Sequence, residues 1–210
     1  MKKNRILAVA LVICLIAILA FGSLAYFTES KTITNQFKTA TSDDPNQLLF
    51  DIDLYETDIN GGNTPVSGNT YSNILPGKEM TKDPTVKNTG LYDQYVRLLV
   101  TVSKADAWAA ACQKHSITGV DATFGDLSSD WTLKEMTKNL DDTITYTYYL
   151  NSKLEPGETS TLFEKVTIPA EFDNDDMATL KEFTITIVAQ AIQSDNLGDD
   201  PVAAFGYWED

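Results

Sequence analysis

Apolar and polar residues alternate most strictly near the middle of the chain, between Tyr95 and Val102. One parity of this stretch is apolar throughout, with Val96, Leu98, Val100 and Val102. The other parity is mixed and holds Tyr95, Arg97, Leu99 and Thr101. Because successive side chains of a strand point to opposite faces of a sheet, this pattern predicts a half-buried β-strand.

Two turn signals lie ahead of this strand, Pro76-Gly77 and Asn88-Thr89-Gly90. Asn and Gly tolerate the positive φ that tight turns require, so the extended runs on either side of the second turn are predicted to pair as a hairpin. Pro84, in the first run, has no backbone N–H to donate. It is therefore predicted to lie at a sheet edge or at a strand start, and the edge beside it is a candidate docking site.

Alternation marks three other stretches as strands. Their apolar residues are Leu48, Phe50, Ile52 and Leu54 in the first, Ile144, Tyr146, Tyr148 and Leu150 in the second, and Phe183, Ile185, Ile187, Ala189 and Ala191 in the third. A second proline-glycine turn, Pro156-Gly157, repeats the first one later in the chain and leads into residues 160–168. This repeat predicts two equivalent hairpins in two packed sheets.

Helical signals are confined to short stretches between the predicted strands. Residues 103–112 are rich in alanine and begin with a serine that suits a helix cap, residues 173–182 predict a helical turn, and residues 202–208 predict a short apolar cap or helix. Six or seven strands at irregular spacing predict an all-β fold. We expect an antiparallel β-sandwich, jelly-roll-like, that spans residues 42–210 and has a few short helices in its connections.

The segment from Met1 to Ala25 is typical of an export signal. A basic region precedes sixteen apolar residues, and the small residues Ser23 and Ala25 match a signal-peptidase site, which predicts cleavage between Ala25 and Tyr26. Sixteen apolar residues fall short of the roughly 20 that span a bilayer. Counting through Ala25 reaches that length, so an uncleaved membrane anchor is the alternative.

The chain that follows this leader is strongly acidic. Without the three basic residues of the leader, 13 basic and 30 acidic residues remain, a formal net charge of −17. Nucleic acid requires a basic footprint, so this balance argues against nucleic acid as a partner and is compatible with a soluble secreted protein. Cys14 lies in the leader, so the cleaved chain keeps only Cys112 and forms no internal disulfide.

Residues 26–41, which read YFTESKTITNQFKTAT, form a polar segment without glycine or proline. Phe27, Ile33 and Phe37 share one parity, but polar residues at positions 29, 31 and 35 share it too. Such a segment suits the central strand of a domain poorly. It is either an N-terminal arm that docks on another surface or a frayed terminus.

Catalytic and metal-binding motifs are sparse. The only histidine of the sequence, His115, follows Cys112 by three residues, but a structural zinc site needs four ligands, a catalytic site needs three, and no HExxH motif is present. Residues 58–70 begin like a calcium loop, yet Gly62 and Asn69 stand where the EF-hand pattern requires ligands. We therefore expect no cofactor, no metal site and no catalytic residue, in a chain suited to structure and binding.

Four stretches carry a resemblance to a known family. They are GSLAYFTES, NQFKTAT, the block LPGKEMTKDPTVKNTGLYDQYVRLLVTV, and LEPGETSTLFEKVTIP. Together they resemble the TasA/camelysin family of exported Firmicute proteins, which a dedicated signal peptidase of the SipW type releases. The resemblance covers nearly the whole chain, and its most specific part is the block that contains Pro76, Gly77, Pro84, Asn88, Gly90, Tyr95 and Arg97.

The resemblance implies a secreted structural protein of the extracellular matrix or cell surface. The best understood members are jelly-roll sandwiches that form biofilm-matrix fibres, in which the N-terminal arm of one subunit completes the sheet of its neighbour. Residues 26–41 would then be the donor strand, with Phe27, Ile33 and Phe37 in side-chain pockets. The edge beside Pro84 or another sheet edge would be the acceptor. The partner would be the chain itself, in a head-to-tail homopolymer without stable membrane insertion after cleavage.

Two alternative functions accompany the resemblance. The camelysin side of the family carries a metalloprotease label, which implies a secreted metallo-endopeptidase. This sequence lacks the zinc-binding histidines that such an enzyme needs, so we expect no enzymatic activity. The other alternative is a cell-surface binding module that does not polymerise.

Overall fold

The computed structural model describes residues 28–32, 50–118 and 124–209, with the backbone alone for 28–32 and 207–209. The strands of this part are β1 (Thr28–Thr32), β2 (Ile52–Tyr55), β3 (Glu79–Thr81), β4 (Thr85–Asn88), β5 (Gln94–Ser103), β6 (Phe124–Gly125), β7 (Trp131–Lys138), β8 (Thr143–Leu150), β9 (Thr159–Thr161), β10 (Lys165–Thr167) and β11 (Ile185–Gln193). The helices are α1 (Ala105–His115), α2 (Asn174–Thr179) and α3 (Pro201–Glu209). None of the helices in the described ranges is long and apolar enough to cross a membrane.

The strands form an antiparallel β-sandwich, as predicted. One layer is a five-stranded sheet in the order β1-β11-β5-β8-β7. The other layer consists of two three-stranded sheets, β3-β10-β6 and β2-β4-β9. The helices are short and lie in the connections or at the end of the chain, so the all-β class is confirmed.

The core lies between the two layers and is centred on β5. Val96, Leu98, Val100 and Val102 are all completely buried, as the alternation predicted. They belong to one apolar cluster with Tyr146, Tyr148 and Leu150 of β8 and with Ile52, Val86 and Val166 of the opposite layer. Burying one such aliphatic side chain contributes roughly 1.5–3 kcal/mol, so this cluster is the main source of stability.

The C-terminal helix α3 covers part of the outer face of the large sheet. Phe205, completely buried, packs with Tyr95, Tyr149 and Ile192 in a second apolar cluster. The prediction that the apolar tail packs as a cap or helix is therefore confirmed. The tail also explains why Tyr95, on the mixed face of β5, is only 1% exposed.

The predicted hairpin across Asn88-Thr89-Gly90 does not form. Strand β4 lies between β2 and β9, whereas β5 lies between β11 and β8 in the other layer. The backbone N–H groups of Thr89 and Gly90 both donate to the carbonyl oxygen of Asp51, so the turn carries the chain from one layer to the other. Turn chemistry alone does not distinguish this crossing from a hairpin.

The predicted open edge beside Pro84 is also wrong, although the proline does stand at a strand start. Pro84 directly precedes β4, which is the central strand of its sheet. Its carbonyl oxygen accepts a hydrogen bond from the backbone N–H of Leu162 at 3.1 Å. The missing N–H costs no ladder hydrogen bond because Pro84 lies just outside β4.

The two proline-glycine segments pair with each other and do not form two equivalent hairpins. Met80 of β3 lies opposite Val166 of β10, and Val86 of β4 lies opposite Ser160 of β9. Each segment thus crosses from one three-stranded sheet into the other, with its partner running antiparallel beside it. The recurrence of the motif reflects this shared ladder.

Helix α1 begins without the serine cap that the sequence predicted. Lys104 occupies the cap position with φ of 59° and makes no side-chain cap hydrogen bond. Ser103 is the last residue of β5, and its Oγ accepts from the backbone N–H of Thr184 at 2.8 Å. Strand β5 extends through Ser103, further than expected, so this serine bonds the segment that leads into β11 and does not cap the helix.

Candidate functional site

The β11 edge of the large sheet is the most distinctive feature of the described surface. Strand β11 reads ITIVAQAIQ, without a charged residue, proline or glycine. On one side it pairs along its whole length with β5. On the other side it pairs with β1, whose register runs from Thr28 opposite Ile192 to Thr32 opposite Val188. A short segment near the N-terminus thus covers an edge that carries no protection of its own.

The opposite edge of the same sheet, β7, is built differently. A register irregularity interrupts its pairing with β8 between Leu133 and Glu135. Lys134, Glu135 and Lys138 place charges along it, and residues 133–138 are exposed. Bulges and lysines are the devices by which proteins prevent an edge strand from pairing with another chain. Of the two edges, β11 is therefore the one suited to receive a strand.

The predicted donor residues Phe27, Ile33 and Phe37 lie outside the described residues, as do Ala25 and Tyr26 at the predicted cleavage site. What the structure describes of the arm is the backbone of β1. The sequence left two candidate edges for the arm, the one beside Pro84 and another sheet edge. Strand β1 pairs with β11, so it does not lie at the edge beside Pro84.

A groove lies along the start of β11. The described pairing of β1 with β11 reaches Val188, and Ile185, Thr186 and Ile187 precede that position in β11. Two adjoining cavities open there, of about 470 Å³ and about 130 Å³. Ile185 and Thr186 line both cavities, which places the groove along the start of β11.

A buried ion pair lies at the centre of this groove. Lys82 Nζ contacts Glu56 Oε1, and the two residues are only 8% and 6% exposed. Asn69 Nδ2 donates to the second oxygen of Glu56 at 3.3 Å. The two charges neutralise each other at the centre of the groove, and Glu182 adds a carboxylate to the lining of the larger cavity.

Tyr71 forms one wall of the larger cavity. Its hydroxyl donates to the carbonyl oxygen of Thr81. Burial, followed by the nearby carboxylates of Glu56 and Asp83, raises the pKa of Tyr71 well above its ordinary value. The phenol therefore stays a neutral hydrogen-bond donor throughout the physiological range.

Asn88 connects several segments of the scaffold. Its side-chain amide donates to the carbonyl oxygens of Tyr92 at 2.9 Å and Leu154 at 2.8 Å. Its Oδ1 accepts from the backbone N–H of Gly90 and from the side chain of Gln94. The residue is completely buried and every hydrogen-bonding position of its amide is used. Sequence reasoning identified Asn88 only as a turn residue and missed this role.

The remaining residues of the specific block are scaffold as well. Tyr95 donates its hydroxyl proton to the carbonyl oxygen of Gly198. Arg97 Nε donates to Gln190 Oε1 at 2.6 Å, and its guanidinium lies 4.6 Å from the centre of the Phe205 ring. Tyr95 therefore holds the segment that precedes α3 against the sheet, and Arg97 holds α3 itself.

The histidine and its acidic neighbours form a second cluster, between α1 and α2. Atoms of His115, Asp173 and Asp176 lie within 4.8 Å of one another, the spacing of possible metal ligands. Lys114 Nζ, however, contacts Asp173 at 2.6 Å and Asp176 at 3.1 Å, so an ammonium group already lies against both carboxylates. His115 Nε2 lies 2.7 Å from Asp176 Oδ2. Cys112 is buried and does not belong to this group.

The same carboxylates cap helix α2. Asp173 accepts from the backbone N–H groups of Asp175 and Asp176, and Asp176 accepts from the backbone N–H of Asp173. That backbone hydrogen bond, together with His115 and Lys114, holds the pKa of Asp176 far below its usual value. Each oxygen of the two carboxylates accepts a hydrogen bond, so the arrangement fits a helix cap better than a metal centre.

Comparison with family models, with curated proteins and with solved structures finds no match for this chain.

Proposed function

We propose that the chain is a secreted structural protein, a subunit of a biofilm extracellular-matrix fibre that assembles by donor-strand exchange of its N-terminal arm. The observation that carries the proposal is the pairing of β1 with the uncharged edge strand β11. A strand that adds to an open edge gains a row of main-chain hydrogen bonds and places alternate side chains in pockets. The TasA/camelysin resemblance of the sequence supports the same mechanism.

The chain length between β1 and the rest of the sandwich permits the exchange. The segment that joins Thr32 to Ile52 comprises positions 33–51. At about 3.3 Å per residue, such a segment reaches about 60 Å at most. The arm is therefore long enough to pair with the β11 edge of its own chain or with that of an adjacent subunit.

Exchange between subunits produces a filament. The arm and the β11 edge are different surfaces, so their contact is head-to-tail and does not close a two-fold dimer. Each subunit that receives an arm still offers its own arm to the next subunit. The protected β7 edge would keep the filament from pairing side by side through its sheets.

The proposal includes export and self-association. The leader would direct secretion and be removed between Ala25 and Tyr26 by a signal peptidase of the SipW type, which leaves no stable membrane insertion. The partner is the same chain, located in the extracellular matrix or at the cell surface. The acidic surface is compatible with this location and argues against nucleic acid as a ligand.

A mixing experiment tests the exchange. Two chains are made in a background with Cys14→Ala and Cys112→Ala, one carrying Thr32→Cys and the other Val188→Cys, and are treated together with a short bis-maleimide. Because Thr32 lies opposite Val188 in the register, we expect a cross-linked product that contains one chain of each kind. A mixture of Thr32→Cys with Lys134→Cys, on the β7 edge, is the control. The absence of a mixed product above this control would contradict exchange.

A further inference from the structure

We propose that the side chains of Lys82 and Asn69 become joined by an isopeptide bond within the chain, with Glu56 as the group that transfers the protons. The new bond forms between Lys82 Nζ and Asn69 Cγ, and the side-chain nitrogen of the asparagine leaves as ammonia. The proposal goes beyond the proposed function, because this modification neither requires fibre assembly nor follows from it.

One carboxylate holds both reacting groups. Glu56 Oε1 contacts the side-chain nitrogen of Lys82, and Glu56 Oε2 accepts from Asn69 Nδ2 at 3.3 Å. The two oxygens are attached to the same carbon atom, so the amine and the amide are held beside each other by a single side chain. Holding two reactants in place in this way removes much of the entropic cost of bringing them together.

The amide of Asn69 is oriented at both of its ends. Its Nδ2 also donates to the carbonyl oxygen of Thr57 at 2.8 Å, and its Oδ1 accepts from the backbone N–H of Ile59 at 3.2 Å. When an amine adds to Cγ, negative charge develops on Oδ1. The N–H of Ile59 is a fixed donor at that oxygen and stabilises the charge.

Backbone and side-chain contacts fix the position of the reacting groups. Glu56 exchanges two backbone hydrogen bonds with Val66, at 2.8 Å and 2.9 Å. The next residue, Thr57, donates its backbone N–H and its hydroxyl to the carboxylate of Asp83 at 2.9 Å and 2.6 Å. Because Asp83 directly follows Lys82, these contacts hold the lysine against Glu56.

Burial favours the uncharged form of the pair that the reaction requires. Glu56 and Lys82 are both more than nine-tenths buried. Transfer of one proton from the ammonium to the contacting carboxylate leaves a neutral acid and a neutral amine, and neither then needs water to solvate a charge. The amine gains the free electron pair with which it can act as a nucleophile.

The reaction balances with these three side chains alone. The electron pair of Lys82 Nζ forms the bond to Asn69 Cγ, and the neutral acid of Glu56 gives its proton to Nδ2. The bond between Cγ and Nδ2 then breaks, its electron pair leaves with ammonia, and Glu56 takes the surplus proton from Nζ. The ammonia carries that proton away as ammonium, so Glu56 returns to a carboxylate. No oxidant, reductant or further reactant takes part.

The bond would tie together two parts of the second layer. Asn69 belongs to the connection after β2, and Lys82 directly follows β3, a strand of the other three-stranded sheet. The one cysteine of the described residues, Cys112, is free. Closing a loop by a covalent link restricts the unfolded chain, as a disulfide does. The isopeptide bond therefore supplies a covalent brace without cysteine.

Mass spectrometry of the denatured full chain tests the proposal. The chain is recovered from whichever fraction holds it, the medium or the cell envelope. We expect a mass lower than that of the sequence by one molecule of ammonia. Trypsin should release residues 39–78 joined to residues 79–87, with no cut after Lys82, because Lys78 and Lys87 are the flanking cleavage sites.

Four variants separate the proposed bond from other losses of ammonia. Lys82→Arg removes the nucleophile and Glu56→Gln removes the proton acceptor, so both chains should keep the full sequence mass. Lys78→Arg changes an exposed lysine nearby and should still lose ammonia. Asn60→Ala should lose it too, although this variant removes an asparagine-glycine pair that could release ammonia by cyclising onto the backbone.

The unaltered chain gives the decisive result, which does not depend on the folding of any variant. A full sequence mass, with free peptides cut after Lys82, would overturn the proposal. A loss of ammonia that persists in Lys82→Arg would overturn it as well. If the linked peptide still forms in Glu56→Gln, the role assigned to Glu56 is wrong.

Discussion

The backbone N–H of Gly157 donates to the carbonyl oxygen of Asn88 at 2.8 Å, and in the earlier proline-glycine turn the N–H of Gly77 donates to Ile168 at the same distance. Each proline-glycine segment thus closes one end of the ladder that both form. Both glycines have positive φ, 76° at Gly77 and 84° at Gly157. The side-chain amide of Asn88 then ties one of these ends to Leu154 and Tyr92.

These equivalent hydrogen bonds make the two glycines a matched pair for mutation. Gly157→Ala is expected to cost about 1–2 kcal/mol, because an alanine is strained at this φ while the space around it is open. Gly77→Ala is expected to cost more, since its new Cβ would lie 3.2 Å from the Ala170 side chain. Urea unfolding measures both free energies. Adding Ala170→Gly should recover part of the loss at Gly77, and an equal cost at both glycines would contradict the crowding.

The buried amide of Asn88 should be essential for stability. Asn88→Ala removes four hydrogen bonds, and each buried group left unpaired costs roughly 1–3 kcal/mol, so we expect a loss of about 3 kcal/mol or more in the free energy of unfolding. Asn60→Ala, in an exposed loop, is the control and should change stability by less than about 0.5 kcal/mol. Similar values for the two variants would contradict the assigned role.

Helix α3 should depend on one aromatic anchor. Phe205→Ala is expected to destabilise the protein by about 3–5 kcal/mol, because the ring is completely buried against Tyr149 and Arg97. Limited proteolysis should then release the C-terminal residues, and we expect no such release from the unaltered chain. Phe205→Leu keeps most of the apolar volume and should retain protection. Equal protease resistance of all three chains would show that α3 is held by other contacts.

The cap of helix α2 should make the protein sensitive to acid. The pKa of Asp176 is lowered in the folded state, so its contribution to stability is present above the ordinary pKa of an aspartate and is lost as the pH falls towards the folded value. Asp176→Asn is therefore expected to lower the midpoint of urea unfolding at pH 7 and to reduce its further fall between pH 5 and pH 2. Asp175→Asn, an exposed neighbour in the same helix, is the control. An unaltered pH profile in Asp176→Asn would contradict this explanation.

Strands with one apolar face could be read from the sequence. Strands β5, β8 and β11 follow the period of two because their inner faces meet the same core. Strand β7 was missed because residues 133–138 are exposed, so that no alternation is required of them. An alternation of apolar and polar residues therefore reveals a strand only when one face of that strand is buried.

Long-range pairing could not be read in the same way. The hairpin expected at Asn88-Thr89-Gly90 is wrong because the same turn residues also serve a connection between layers. The pairing of β1 depends mainly on its backbone, since its sequence, TESKT, contains no apolar residue. The position of β11 beside β1, as an uncharged and uninterrupted strand, depends on the sheet order, which the sequence pattern does not determine.

Electron microscopy of chains with and without residues 26–40 tests the central claim most directly. We expect fibres from the chain that keeps the arm, and dispersed particles from the chain that lacks it, because the β11 edge then has no donor. A soluble peptide of residues 26–41, added to the complete chain, should occupy the edge and shorten the fibres. Unchanged fibres without the arm would contradict assembly by donor-strand exchange.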